Sequence, residues 1–316
     1  MAQVTLDDIR AAAARIAPIA QRTPVWSSRS FDQQSGVEAH FKCENLQKGG
    51  AFKIRGATNF LYSIPEQDRG KGVVAFSSGN HAQAVAIAAR SLGMMATLVM
   101  PDDAPKSKLE ATRAQGAHII TYDRFKDSRE RIGRQISEET GATLVPPFDH
   151  PWIIAGAGTC GMELMEQAPG LDALVVCLGG GGLLSGCAIA VKAMNPSIRV
   201  FGVEPAVAND YWLSLQKGER VEIPSPPTIA DGLRTTKPGV HTFAVIQELV
   251  EAVLLVSEEE IKEATKFVLS RMKLVVEPSG AVGAAAVLSG KLPPGLKRVG
   301  IVLSGGNVDM EVLGAL

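Results

Sequence analysis

No run of about 18 uncharged apolar residues occurs anywhere in the chain, so a membrane-spanning segment is excluded. The N-terminal stretch MAQVTLDDIR carries Asp7 and Asp8 and has no unbroken apolar run, which excludes a secretory signal peptide. Aromatic residues make up only 5% of the chain, which argues against stacking platforms for single-stranded nucleic acid. Excess charge is also missing. The 32 basic and 33 acidic residues leave a net charge of -1, with no basic footprint for nucleic acid or an anionic membrane. Cysteine is scarce: Cys43, Cys160, Cys177 and Cys187 lack CxxC spacing and sit in apolar surroundings. They read as buried free thiols of a reducing compartment, the cytoplasm. There is no low-complexity tract and no repeat at a solenoid period.

What is present is an ordinary globular composition, 46% hydrophobic and 21% charged, in a length that suits two domains or one large one. Near-continuous apolar runs at Ala39–Cys43, Gly72–Phe76, Ala96–Met100, His118–Tyr122, Ala173–Leu178, Arg199–Val203, Ala252–Val256 and Val299–Leu303 read as strands buried on both faces. Helical patterns lie between them, among them Ile54–Ser63, Asn80–Leu92, Thr159–Gln167 and Gly182–Met194. Pro105 marks one helix start, and Ser257 with Glu260 forms a capping-box pattern at another. The alternation predicts an α/β fold of open parallel sheets with right-handed crossovers. The Pro146-Pro147 break closes a run of βα units, so a small domain over 72–148 is expected inside a large one formed by 1–71 and 149–316.

Five segments could carry chemistry. In KGGAFKIRGA, Lys53 stands at a helix start, where the dipole and apolar surroundings would lower its pKa toward Schiff-base chemistry; alone, a solvated helix-start lysine is the default reading. Ser77-Ser78-Gly79-Asn80-His81 follows a strand and opens a helix, a place for a carboxylate, although a simple cap uses the same residues. Gly179-Gly180-Gly181-Gly182-Leu183 also joins a strand to a helix, where backbone N–H groups can converge on a phosphate. The third glycine of a dinucleotide fingerprint is missing, because Leu184 or Ser185 stands where Gly or Ala is required. Ser304-Gly305-Gly306-Asn307 follows the last strand and could place a neutral hydroxyl against a heterocyclic nitrogen, or be a turn. Glu204 and Asp210 bracket a short loop; two carboxylates and a carbonyl suit a hard cation, and a strand end followed by a solvated helix start is the other reading.

Taken together and in order, AFKIRGA, SSGNHAQA, GGGGL, VEP and SGGN resemble the fold-type II pyridoxal-phosphate enzymes, in their threonine dehydratase and serine racemase branch. The resemblance covers residues 5–312. It implies a tryptophan-synthase-β-like architecture of two parallel-sheet domains with the cofactor in the cleft between them. It further implies that Lys53 holds pyridoxal 5'-phosphate covalently, Phe52 packs on its ring and Asn80 meets its 3-hydroxyl. By the same resemblance Gly179, Gly180, Gly181, Gly182 and Leu183 bind its phosphate, and Ser304 faces its pyridine nitrogen. Ser77, Ser78, Asn80 and His81 would hold the substrate carboxylate. Glu204, Asp210 and the carbonyl of Ala208 would take Mg²⁺, or Ca²⁺ or Mn²⁺.

The implied activity is elimination of water from L-serine, L-threonine or threo-3-hydroxyaspartate to give a 2-oxo acid and ammonia. Serine racemisation with elimination as a side reaction is the alternative, since in serine racemases the serine matching Ser78 serves the second face of the substrate. His81 followed by Ala82 resembles the dehydratase form. A distal carboxylate would need a second cation. Arg129, Arg234 and Lys237 are the candidates, and Thr235 is placed at the substrate mouth; Arg129 also reads as an exposed ion pair with Asp127 or Glu130. A homodimer is the family expectation, as is a small amino-acid substrate with no nucleic-acid or membrane partner. The chain stops shortly after Ser304, so the regulatory domain of biosynthetic threonine dehydratases is expected to be absent.

Overall fold

The computed structural model describes residues 4–77, 79–103, 106–123 and 126–316, with backbone alone at 106–108 and 111. The expectations at Ser78 and Pro105 therefore lie outside the described residues. Among the described residues ten strands form two sheets. They are β1 (Val25–Trp26), β2 (Glu38–Cys43), β3 (Val73–Phe76), β4 (Ala96–Pro101), β5 (His118–Tyr122), β6 (Thr143–Leu144), β7 (Ala173–Cys177), β8 (Arg199–Pro205), β9 (Ala252–Val256) and β10 (Arg298–Leu303).

The larger sheet runs β1-β2-β10-β7-β8-β9 and the smaller β5-β4-β3-β6. Every pairing is parallel except β1 with β2, which is antiparallel. The chain thus has two α/β domains built on parallel sheets, as the alternation of apolar runs and helical patterns requires. No described helix is long and apolar enough to cross a membrane. The capping box at Ser257 and Glu260 is present, each holding the other's backbone N–H.

One expected helix is longer than its sequence pattern. The helix expected from Thr159 begins at Pro151, with His150 as its cap. Gly156, Gly158 and Gly161 look like breaks in a helical pattern, but here they allow close helix approach. A Cβ at Gly158 would lie 2.7 Å from the Gly186 carbonyl, and one at Gly156 2.6 Å from the Arg55 carbonyl. Tertiary packing overrides the local cost of glycine in a helix, about 1 kcal/mol each.

The same helix closes a buried ionic cluster. Arg55, on the helix Lys53–Tyr62, has no exposed surface. Its guanidinium donates to both oxygens of Glu44 (2.7 and 2.8 Å), both oxygens of Glu163 (2.8 Å each) and Thr159 Oγ1 (3.0 Å). Lys42 Nζ adds bonds to Glu163 (2.6 Å), Gln167 (2.8 Å) and the Thr23 carbonyl (2.7 Å). Burial pushes the Glu44 carboxyl upward, but the charge and hydrogen bonds of Arg55 hold it below its usual 4.5. Its contribution to stability is therefore complete above that ordinary value and fades as pH falls through the lowered one.

Arg55→Met leaves two carboxylates buried without their main partner. It is expected to cost about 3–5 kcal/mol in denaturant unfolding at neutral pH. A loss within ~0.5 kcal/mol, the range of an ordinary surface substitution, would show that the cluster does not anchor the helix.

Candidate active site

The ends of β2 and β10 are level, Leu303 pairing with Cys43. The segments that follow them therefore meet: Ala51 bridges Gly305, and Phe52 N–H donates to the Ser304 carbonyl at 3.0 Å. This fixes where the next helix starts, and Lys53 is its first residue. Lys53 Nζ donates to the Pro147 carbonyl at 2.8 Å and lies 5.1 Å from the centre of the Phe52 ring. Burial lowers its pKa to about 8, against the opposing pull of Cys177 and Glu277. An amine in that range is a usable nucleophile and base near neutral pH.

Phe148, next to Pro147, packs against the glycine segment that follows β7. A Cβ at Gly180 would overlap the Phe148 ring, and one at Gly181 would overlap the Tyr211 hydroxyl. Gly181 has φ +85° and caps the helix Gly182–Met194. The N–H groups of Gly180 and Gly181 donate to no backbone acceptor among the described residues. A concave run of free N–H groups at a helix N-terminus is a site for a phosphate-sized anion.

Ser304 is buried, and the thiol of Cys177 at the end of β7 is hydrogen-bonded to its side chain. Burial pushes that thiol up to about 11, so it is neutral. At the end of β3, Ser77 Oγ accepts from Gly79 N–H, and Asn80 begins the helix Asn80–Ser91. Asn80 Nδ2 donates to Glu277 Oε1 (2.7 Å), while its Oδ1 accepts from Asn307 Nδ2 (2.9 Å). His81 is buried and donates through Nε2 to the Val145 carbonyl (3.3 Å). Burial, with Lys53 and Arg129 nearby, pushes its pKa down to about 3, so the ring is neutral.

Arg129 starts the helix Arg129–Thr140, 5.9 Å from the centre of the Phe76 ring, and pairs with Glu130 at 2.9 Å. Arg234 instead turns back to the Thr228 carbonyl (3.0 and 2.7 Å), and Lys237 pairs with Glu222 at 3.4 Å.

The acidic pair lies at the end of β8. Glu204 accepts from the N–H groups of Tyr211 (3.0 Å) and Trp212 (2.9 Å). Asp210 Oδ1 accepts from the Thr235 hydroxyl (3.3 Å), and its Oδ2 is buried with no partner. Thr235 is thus joined to the acidic pair. Burial raises both carboxyls, Asp210 to about 7, and the charge of Asp210 raises Glu204 further. Among the described residues no group of three or more His, Cys, Asp or Glu side chains gathers as for a metal. The unpartnered Asp210 oxygen nevertheless fits a cation completed by carbonyl and water oxygens.

Glu277, Pro147, Phe148, Cys177 and Tyr211 all belong to the site, and none was singled out by motif. Glu277 left one trace in the sequence: a lone acid before a proline in the apolar run LVVEPSGAVGAAAV.

The chain is similar to known proteins along almost its whole length. The pattern of the family described as pyridoxal-phosphate dependent enzyme matches residues 16–305. The chain is 50% identical over 307 residues to the serine racemase of Schizosaccharomyces pombe, covering 97% of this chain and 95% of that one. It is also 50% identical over 309 residues to the L-threo-3-hydroxyaspartate ammonia-lyase of a Pseudomonas species, covering 98% and 97%. The solved structure of maize serine racemase superposes with a TM-score of 0.96 at 45% identity, covering 99% of this chain and 97% of that one.

The rate at which Lys53 condenses with an added aldehyde, trapped by borohydride and located by peptide mass spectrometry, is expected to rise with a midpoint near pH 8. A midpoint at the ordinary lysine value of 10.5 would refute the depressed amine.

Proposed function

The chain belongs to the pyridoxal-phosphate dependent enzymes, and we propose that it is an ammonia-lyase that eliminates water from a small β-hydroxy amino acid, L-serine, L-threonine or threo-3-hydroxyaspartate, releasing a 2-oxo acid and ammonia. The observation that carries this reading is Lys53, an amine with lowered pKa whose helix start is bonded to the Ser304 segment. Bound pyridoxal phosphate supplies the electron sink that makes a substrate Cα–H acidic.

The remaining chemistry belongs to the protein. Gly179, Gly180, Gly181, Gly182 and Leu183 would hold the phosphate, Phe52 would cover the ring, and Asn80 would meet the 3-hydroxyl. Lys53 would hold the cofactor and is the amine that would take the proton from Cα. Ser304 offers a neutral hydroxyl to the ring nitrogen, supported by the neutral Cys177 thiol beside it. A neutral partner would place no full positive charge at that nitrogen, which would favour loss of the β-hydroxyl. Ser77, Ser78, Asn80 and His81 bind the substrate carboxylate. A neutral His81 adds no charge, and with its one ring N–H given to Val145 it would offer that carboxylate its backbone N–H in the first turn of the helix. Serine racemisation is the second reading, favoured by the 50% identity to a serine racemase, with Ser78 handling the proton on the face opposite Lys53.

Arg129 is assigned to a distal carboxylate. Its guanidinium lies over Phe76, one residue before Ser77, and helps push down the His81 pKa. Thr235 is assigned to the same substrate mouth through its bond to Asp210. Glu204, Asp210 and the Ala208 carbonyl would hold Mg²⁺, Ca²⁺ or Mn²⁺. We assign 72–148 to the substrate-binding small domain and 1–71 with 149–316 to the cofactor-binding large one, in a cytoplasmic homodimer.

Incubation with serine, threonine and hydroxyaspartate isomers, following 2-oxo acid and enantiomer conversion together, tests the reading. Release of 2-oxo acid from an L-β-hydroxy amino acid is expected, and enantiomer conversion with no 2-oxo acid would replace it with the racemase. Arg129→Ala is expected to lower kcat/KM for hydroxyaspartate by at least about tenfold more than for serine, the worth of one charge-assisted pair. Equal losses would remove Arg129 from the distal subsite.

Chelation followed by return of Mg²⁺ or Ca²⁺ is expected to lower and then restore Tm, since a ligand of the folded state stabilises it. An unchanged Tm, with metal content verified at each stage, would remove Glu204 and Asp210 from that role.

A further inference from the structure

We propose that Tyr211 is a positioning residue for the phosphate site: its hydroxyl holds the Gly180–Gly181 peptide so that the Gly181 N–H faces the anion. The inference rests on the reading of the glycine segment as the phosphate cup. Tyr211 is wholly buried, with its hydroxyl 3.0 Å from the Gly180 carbonyl and 2.7 Å from Thr242 Oγ1. A phenol has one proton, and a carbonyl can only accept. Tyr211 therefore donates to Gly180, and Thr242 must donate to Tyr211.

In a planar trans peptide the C=O and the following N–H point in opposite directions. Drawing the Gly180 carbonyl onto Tyr211 turns the Gly181 N–H to the other side, where no described backbone group accepts it. Gly181 is also the cap of the helix Gly182–Met194, so this N–H lies at the positive end of the helix dipole. The ring is held from both sides. The backbone N–H of Tyr211 is bonded to Glu204, and the carbonyl of Thr242 accepts from Ser185 on the cup's own helix at 3.3 Å. Gly181 must lack a Cβ because the Tyr211 hydroxyl occupies that space. The residue after Asp210 thus links the acidic pair to the cup.

The test titrates the cofactor-free protein with pyridoxal phosphate and, separately, with pyridoxal, reading Kd from the absorbance of the Lys53 adduct. Tyr211→Phe removes only the hydroxyl and is expected to weaken pyridoxal phosphate about tenfold, the worth of one buried hydrogen bond, while leaving pyridoxal unchanged. Equal weakening of both ligands would mean a merely structural role and overturn the proposal, as would an unchanged Kd for pyridoxal phosphate. If the unaltered protein bound both ligands equally, the phosphate cup itself would fall, and this inference with it. Should Tyr211→Phe fail to fold, Thr242→Val removes the donor behind Tyr211 and is expected to show the same selective loss by a smaller factor; no selectivity there would also overturn the proposal.

Discussion

The guanidinium of Arg55, locked between Glu44 and Glu163, is the constraint on which the rest of the site depends. It lies two residues beyond Lys53 on the same helix, so whatever holds it also holds the reactive amine. Its donors meet two carboxylates and Thr159, joining the turn after β2 to the long helix Pro151–Gln167. A buried ion pair is a weak source of net stability, because desolvation offsets much of the attraction. What it secures is geometry. A flat fork bonded to both oxygens of two carboxylates permits one orientation of the helix start, and an apolar core permits many.

Around that anchored start the site is assembled at the carboxyl ends of strands, where open parallel sheets place their ligands. The ends of β2, β10 and β7 bring Lys53, Ser304 and the glycine cup, and the end of β3 brings Asn80 and His81. Asn80 is held between Glu277 and Asn307, so the first turn of a small-sheet helix is bonded to segments that flank the large sheet. The charge pattern is consistent throughout. Burial makes Lys53 readily neutral and leaves His81 and Cys177 uncharged, so the positive groups that remain around them are backbone N–H groups, the helix dipole and Arg129.

The acidic pair at the end of β8 serves a second purpose besides its fit to a cation. Glu204 caps the start of the helix Asp210–Lys217 by taking the N–H groups of Tyr211 and Trp212. That places the Tyr211 ring under the glycine segment. The charged loop and the anion cup are therefore parts of one hydrogen-bonded structure, although about thirty residues separate them in the chain.

The sequence by itself determined the α/β class, the strands of both sheets except the two-residue β1 and β6, and the five motif segments, because buried parallel strands are continuous apolar runs and helix starts carry their own polar signals. The ordered motifs also named the family. Only the tertiary structure decided what touches them. Gly156, Gly158 and Gly161 form a helix contact surface, since close approach of Arg55, Gly186 and Cys187 is a long-range fact. Arg234 and Lys237 were drawn to local partners, leaving Arg129 over the Phe76 ring. Glu277, Pro147, Cys177 and Tyr211 joined the site through single bonds to distant segments, and no local spacing records a bond of that kind.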